Sequence, residues 1–268
     1  MKYGIIAGTG LLPQMVIDAC VTQNQPYYVL AFQGQTHVQL VKDHPHDWVY
    51  LGAVGKAVRH LKAASVTHVV LAGHFQRPAW SQVRPDFLGA QWLARLSRKA
   101  LGDDGVLRLI TEMLEESGFE VVGAQDIIGK NLLATEGALG HISPSNKELE
   151  DIHYGSSLLD TIGKMDIGQS LVIQEGLVLG LEAIEGTDRL IERCALLKRG
   201  ESPPVLVKKT KPNQEDRVDL PTVGIKTLKN LYTHGFRGLA IEANKTILLN
   251  QQEVIDFINT HKMFIYGL

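Results

Sequence analysis

Lys208, Lys209, Lys211 and Asp219 all fall within "VKKTKPNQEDRVDLPTVG", which follows an apolar, strand-like run and leads into a helix start. Lysine ammonium groups are compact charges suited to phosphate. A carboxylate among them is kept ionised by the surrounding cations and is fit to bind Mg²⁺ or orient a water. The same residues also suit an ordinary solvated loop, stiffened by Pro212 and Pro221, with Asp219 capping the next helix. Composition leaves both open.

Four other stretches carry candidate chemistry. In "EAIEGTDR", Glu182 and Glu185 end an apolar strand, Gly186 permits close approach, Thr187 is expected to cap a helix, and Asp188 sits in its first turn. "GIIAGTGLLP" puts Gly8, Thr9 and Gly10 between strand and helix, where backbone amides and a helix N-terminus could hold phosphate. It lacks the third glycine of a dinucleotide fingerprint, and a tight turn would need the same glycines. "AGHFQRP" adds Gly73, His74, Gln76 and Arg77; Arg77 suits a bidentate phosphate clamp or a packed surface stem. "LGDDGVL" sets Asp103 and Asp104 ahead of a helix, where its dipole favours carboxylates. The histidines of "HPHDW" (His44, His46, with Asp47) have no further ligands at short spacing and are expected in a loop.

Something must position these groups. Segments such as "YGIIAG", "PYYVLAF", "DWVYLG", "THVVLAG" and "FEVVGA" read as strands alternating with helical patterns, which predicts a parallel sheet with helices on its faces. Ligands in such folds gather beyond the carboxyl ends of the strands, where "AGTG" and "AGHFQRP" would lie. A polar, Gly-, Ser- and Pro-containing stretch, "TEGALGHISPSNKELE", marks a boundary, so we expect an N-terminal Rossmann-like α/β domain over 1–135 and a C-terminal α/β domain over 136–268. In the second, Glu175-Gly176 signals a turn between two strands. "TVGIKTLKNLYTHG" reads as a helix, "RGLAIEANKTILL" as a hairpin turning at Asn244-Lys245, and Asn250 as a cap.

Bulk properties narrow the classes. With 268 residues, 44% hydrophobic and 21% charged, the chain is of ordinary globular composition, and a net charge of −2 leaves no footprint for nucleic acid. Cys20 and Cys194 are the only cysteines, which predicts a reducing, cytoplasmic setting. No stretch approaches a membrane span and we read no signal peptide. Trp80, Phe87, Leu88 and Trp92 are close enough to line an apolar cleft, but their near-helical spacing suits core.

Taken together and in this order, "IIAGTGLLP", "LAGHFQRP", "LGDDGVL", "DIGQSLVIQEGLVLGLEAIEGTDRLIER", "LVKKTKPNQEDRVDLPTVG" and "GLAIEANKTILL" resemble the UDP-2,3-diacylglucosamine pyrophosphatases of lipid A biosynthesis, the type unrelated to calcineurin-like phosphoesterases. The likeness spans nearly the whole chain; "EAIEGTD" and the lysine-to-"DLPTVG" segment are its most specific parts. It implies Mg²⁺-dependent hydrolysis of the pyrophosphate to UMP and 2,3-diacylglucosamine 1-phosphate (lipid X), by two α/β domains joined by a linker with the lipid nucleotide-sugar between them. It places the essential aspartate at Asp219. Asp188 and Glu185 are then candidate helpers at the metal. Gly8, Thr9, Gly10, Gly73, Gln76, Arg77, Thr187, Lys208 and Lys211 are candidate substrate contacts. Peripheral contact with the inner membrane and a homodimer stay open. The competing reading is a non-catalytic nucleotide-sugar or dinucleotide-binding protein, which would need the glycine loop but not Asp219.

Overall fold

Short runs of apolar and β-branched residues, each followed by an amphipathic stretch, build the first half. The computed structural model describes residues 1–75, 83–99, 103–165, 167–212 and 214–268, with backbone alone at 96–99 and 103–104. In order, the first elements are β1 (Tyr3–Ala7), α1 (Leu12–Thr22), β2 (Tyr27–Phe32), α2 (Val38–Val41), β3 (His46–Val49), α3 (Val54–Ala63), β4 (His68–Ala72), α4 (Phe87–Lys99), α5 (Asp103–Glu116), β5 (Glu120–Val121) and α6 (Ala124–Ile128). Pro13 lies at the start of α1, where its missing N–H removes no helical bond.

The five strands form a sheet in the order β3-β2-β1-β4-β5, parallel throughout. Alternate residues feed opposite faces: Val29 and Ala31 join Ile5, Val16 and Ile17, whereas Leu30 joins Leu61, Val69 and Leu114. Burial on both faces is why these strands read as continuous apolar runs. The strand order reverses between β1 and β4, so the loops after Ala7 and Ala72 meet at the switch point of the sheet.

The second half comprises β6 (Gly137–Ala138), α7 (Asn146–Gly163), β7 (Ser170–Gln174), β8 (Leu177–Leu181), α8 (Gly186–Ala195), β9 (Val205–Lys208), β10 (Thr222–Val223), α9 (Ile225–Thr233), β11 (Gly238–Ile241), β12 (Ile247–Leu248), α10 (Gln251–Thr260) and β13 (Phe264–Gly267). A six-stranded mixed sheet runs β6-β13-β11-β9-β7-β8, with β9, β11 and β13 parallel and the outer strands antiparallel. Leu171, Ile173, Val205 and Val207 pack on one face with Ile152 of α7. Val172 and Leu206 pack on the other with Leu190, Ile191 and Leu228. Ser145 and Glu148 close a capping box at the start of α7.

The turn expected at Glu175-Gly176 forms. Both residues take positive φ (50° and 77°), as a two-residue hairpin turn requires. Asp151 of α7 accepts both their N–H groups at 2.8 and 2.6 Å. The hairpin expected at Asn244-Lys245 does not form. Asn244 does turn the chain (φ 61°), but β11 lies inside the large sheet between β9 and β13, and β12 pairs in parallel with β10. That pairing also delays the helix expected from Thr222, which starts only after Gly224. Asn250 does precede α10, but in left-handed backbone and without a capping bond.

By internal contacts the chain forms two units. One is Met1–Gly129 with Glu215–Asp219; the other is Lys130–Gln214 with Leu220–Leu268. Among the described residues no helix is long and apolar enough to cross a membrane.

Candidate functional site

In the second unit, strand register brings three polar residues into one row. Ser170 of β7 stands opposite Lys208 of β9, and Glu182, the first residue after β8, donates its N–H to the Ser170 carbonyl at 2.8 Å. Paired residues of neighbouring strands share a face, so Glu182, Ser170 and Lys208 line up on the face that α8 covers. Lys208 and Glu182 are only 8% and 7% exposed. Thr187 joins them: its hydroxyl donates to Glu182 Oε1 (2.8 Å) and accepts from Lys208 Nζ (3.2 Å). The cap expected of Thr187 is therefore corrected. Glu185 holds the N-cap position without a side-chain bond, and the Thr187 hydroxyl faces inward. Glu182 Oε2, Ser170 Oγ and Gln169 Oε1 are buried in the same region without a hydrogen-bond partner among the described residues.

Beyond Lys208 the loop is tied down residue by residue. Lys209 binds Asp160 (2.7 Å) and Ser156 (3.0 Å) of α7. Thr210 donates both its N–H and its hydroxyl to Glu242, which also pairs with Lys245 at 3.1 Å. Burial pushes the Glu242 carboxyl up, but the Thr210 and Lys245 contacts outweigh it and hold it below the usual carboxylate range. Lys211 donates its N–H to Gln214 at 2.9 Å. These groups sit at the carboxyl ends of the parallel strands β9 and β11, where α/β folds bind their ligands.

Asp219 closes the five-residue segment that belongs to the first unit. Val218 packs against the cluster containing Leu30, Val69 and Leu114. The N–H groups of Val218 and Asp219 both reach the Glu215 carbonyl, at 3.0 and 3.1 Å. Arg217 pairs with Glu215 (2.9 Å) and with Glu115 of α5 (2.7 Å). Bonding first to Glu215 and then to Glu115 raises the Arg217 guanidinium above its ordinary pKa, and Arg217 in turn holds Glu215 low.

The metal candidates have partners of their own. Glu185 pairs with Arg193 at 2.8 Å, and its own backbone N–H, then Arg193, keep its carboxyl below the usual range. Asp188 accepts from Lys226 at 2.8 Å and from Asn230. Among the described residues no three His, Cys, Asp or Glu side chains come together as a metal shell. Magnesium asks for hard oxygen donors and commonly takes one or two carboxylates plus substrate phosphates, so the donor chemistry of Asp219, Asp188 and Glu185 suits it. Of the "HPHDW" residues expected in a loop, His44 lies in the bend before β3, whereas His46 and Asp47 lie on β3 itself, where Asp47 accepts from His60 at 2.6 Å and from Tyr28.

At the switch point of the first sheet the two glycine loops lock together. Gly8 N–H donates to Ala72 (2.8 Å), Thr9 N–H to His74 (2.8 Å), and His74 N–H back to Thr9 (3.0 Å); the Thr9 hydroxyl adds a bond to His74. A Cβ on Gly8 would meet the His74 carbonyl at 2.6 Å. At Gly73, whose φ is +87°, it would meet the Thr9 carbonyl at 2.3 Å, whereas Gly10, φ +96°, faces open space. Gly73→Ala should therefore destabilise the first unit by roughly 2–4 kcal/mol, from positive-φ strain plus overpacking, read as a lowered thermal midpoint. Gln76, Arg77 and Trp80 lie outside the described residues, as do the side chains of Asp103 and Asp104. Of the remaining aromatics, Phe87 is exposed and Trp92 packs against the sheet.

Sequence placed Glu182 in a candidate stretch but gave it no role, and Arg217 was not singled out as a site residue. Glu182 is exposed to view only once Ser170 and Lys208 are in register, and Arg217 finds Glu115 across 102 positions of chain.

Comparison with known proteins matches both halves. Residues 2–131 fit the model of the LpxI N-terminal domain and residues 135–266 that of the LpxI C-terminal domain. The chain is 35% identical, over 276 aligned positions covering all of it and 97% of the relative, to "UDP-2,3-diacylglucosamine pyrophosphatase LpxI" of Caulobacter vibrioides. With two domain models matched end to end and a relative aligned over its full length, this chain belongs to the LpxI family.

Proposed function

We propose that this enzyme hydrolyses the pyrophosphate of UDP-2,3-diacylglucosamine to UMP and 2,3-diacylglucosamine 1-phosphate, with Mg²⁺ as cofactor. The observation that carries this reading is the full-length match to a relative named for that pyrophosphatase. The placement of Lys208 and Thr187 at the carboxyl ends of the second sheet supports it. Water supplies the oxygen that forms the new P–O bond, and the other phosphate leaves with the bridging oxygen and its electron pair. Lys208 and Lys211 neutralise charge growing on the non-bridging oxygens, the largest service a protein gives to phosphoryl transfer. The Thr187 hydroxyl orients the Lys208 ammonium. Asp219 holds the metal or orients the water. Asp188 and Glu185 are candidate further oxygen donors, each already engaged by a cation, Lys226 and Arg193. Bound Mg²⁺ would supply charge neutralisation across the two phosphates. Gly8, Thr9, Gly10 and Gly73, with Gln76 and Arg77, complete the proposed substrate contacts.

The test is release of UMP from the lipid nucleotide by purified protein, with Mg²⁺ and with chelator, and with UDP-N-acetylglucosamine as control substrate. UMP formed from the lipid nucleotide alone, and only with metal, is the expected result. Tight binding without UMP would favour a non-catalytic nucleotide-sugar protein, and turnover that survives chelation would remove the metal.

A further inference from the structure

The segment that carries Asp219 is held far more firmly than a solvated loop needs. Arg217 makes a two-point contact with Glu215, Nε to Oε1 at 2.9 Å and Nη2 to Oε2 at 3.1 Å. Its Nη1 reaches Glu115 Oε1 at 2.7 Å and the Val121 carbonyl at 3.4 Å. One guanidinium thus joins the loop to the last turn of α5 and to β5. The C-terminal end of a helix favours a cation there. Two residues on, the Asp219 N–H is fixed on the Glu215 carbonyl, and Val218 between them is packed into the core. Every residue in this chain of contacts belongs to the first unit. Exposed ion pairs usually contribute little to stability, and Arg217 and Glu115 are each about two-fifths exposed. Stability alone is a poor reason for a planar, multiply bonded arginine at this point, whereas placing a carboxylate to a fraction of an ångström is a good one.

We propose that Arg217, clamped by Glu115 and Glu215, is a positioning residue for Asp219, an inference that rests on the hydrolase reading above. Arg217 touches neither substrate nor metal in this scheme. It removes the freedom of the loop so that the Asp219 carboxylate meets its water or cation already in place. A lysine carries the same charge but cannot reproduce the planar fork.

The experiment compares Arg217→Met, Arg217→Lys and Glu115→Gln with the parent enzyme, each normalised to folded protein. Arg217→Met should lower kcat roughly 10- to 100-fold while KM for the lipid nucleotide changes little, since small misplacements cost rate rather than binding. Glu115→Gln and Arg217→Lys should fall between. Amide hydrogen exchange provides a readout independent of turnover: the Val218 and Asp219 N–H groups should exchange faster in Arg217→Met, with the strands of the first sheet unchanged. Unchanged kcat per folded molecule in all three variants, or unchanged exchange at 218 and 219, would overturn the proposal. Should Arg217→Met fail to fold, the same readouts on Glu115→Gln and Arg217→Lys decide it. A parent enzyme that releases no UMP would sink the hydrolase reading itself, an outcome distinct from an active parent indifferent to these substitutions.

Discussion

Asp219→Asn is expected to lower kcat by roughly 10²–10⁴-fold, the range associated with losing a positioned acid–base group. The amide keeps the size and planarity of the carboxylate, and the backbone around it is fixed by the two N–H bonds to the Glu215 carbonyl, the Val218 packing and the Arg217 clamp. Fold and loop geometry should therefore survive, and the thermal midpoint should move little. What disappears is a full negative charge at the position proposed to hold the metal or the water. Binding of the lipid nucleotide rests in this scheme on lysines, backbone and the apolar contacts of the acyl chains, so the variant should still bind substrate with an affinity near that of the parent. Single-turnover kinetics beside direct binding measurements separate these two effects. Turnover within a fewfold of the parent would remove Asp219 from the chemistry and return "DRVDLPTVG" to an ordinary loop; lost binding with lost turnover would make it a substrate contact instead.

The sequence carried the architecture of the first half because parallel strands are buried on both faces. "YGIIA" and "YYVLAF" are apolar throughout, and strands of that kind alternating with amphipathic helices leave few topologies. The Glu175-Gly176 turn was readable for a local reason, the positive φ that glycine accepts without penalty. Local signals misled where long-range pairing decided the outcome. Asn244 makes a genuine turn, yet the strand before it has two parallel partners already, so no hairpin can close. Thr187 stands where a cap is expected, but a buried carboxylate and ammonium compete for its hydroxyl and win. In the lysine-rich loop, Lys208 and Lys211 but not Lys209 were the expected substrate contacts. Its fold distinguishes them: Lys209 is engaged by Asp160 and Ser156, whereas Lys208 is buried beside Thr187 and Glu182. Motif resemblance points to Asp219, but nothing local indicates that five residues around it would pack with the other half of the chain.

Removing Lys208 should cost more stability than any other single change in the second unit's polar row. Its ammonium and the Glu182 carboxylate are both more than nine-tenths buried and share the Thr187 hydroxyl. Lys208→Met deletes the cation but leaves the carboxylate in place, with Oε1 held by Thr187 and Oε2 without a partner. The Thr187 hydroxyl links the two charges, and leaving one of two linked buried charges without the other costs about 3–5 kcal/mol, because the surviving charge has been taken from water without compensation. At roughly 2–4 °C per kcal/mol for a chain of this size, the thermal midpoint should fall by on the order of 6–20 °C. Glu182→Leu combined with Lys208→Met replaces both charges by apolar groups and should recover most of that loss, since such replacements are often neutral. Turnover should not recover with it, because the cation proposed to face the phosphate is still missing. Differential scanning calorimetry and UMP release on the two single variants and the double variant complete the cycle. Near-parent stability in Lys208→Met would mean that Glu182 does not depend on that ammonium, and restored turnover in the double variant would show that Lys208 serves the fold alone.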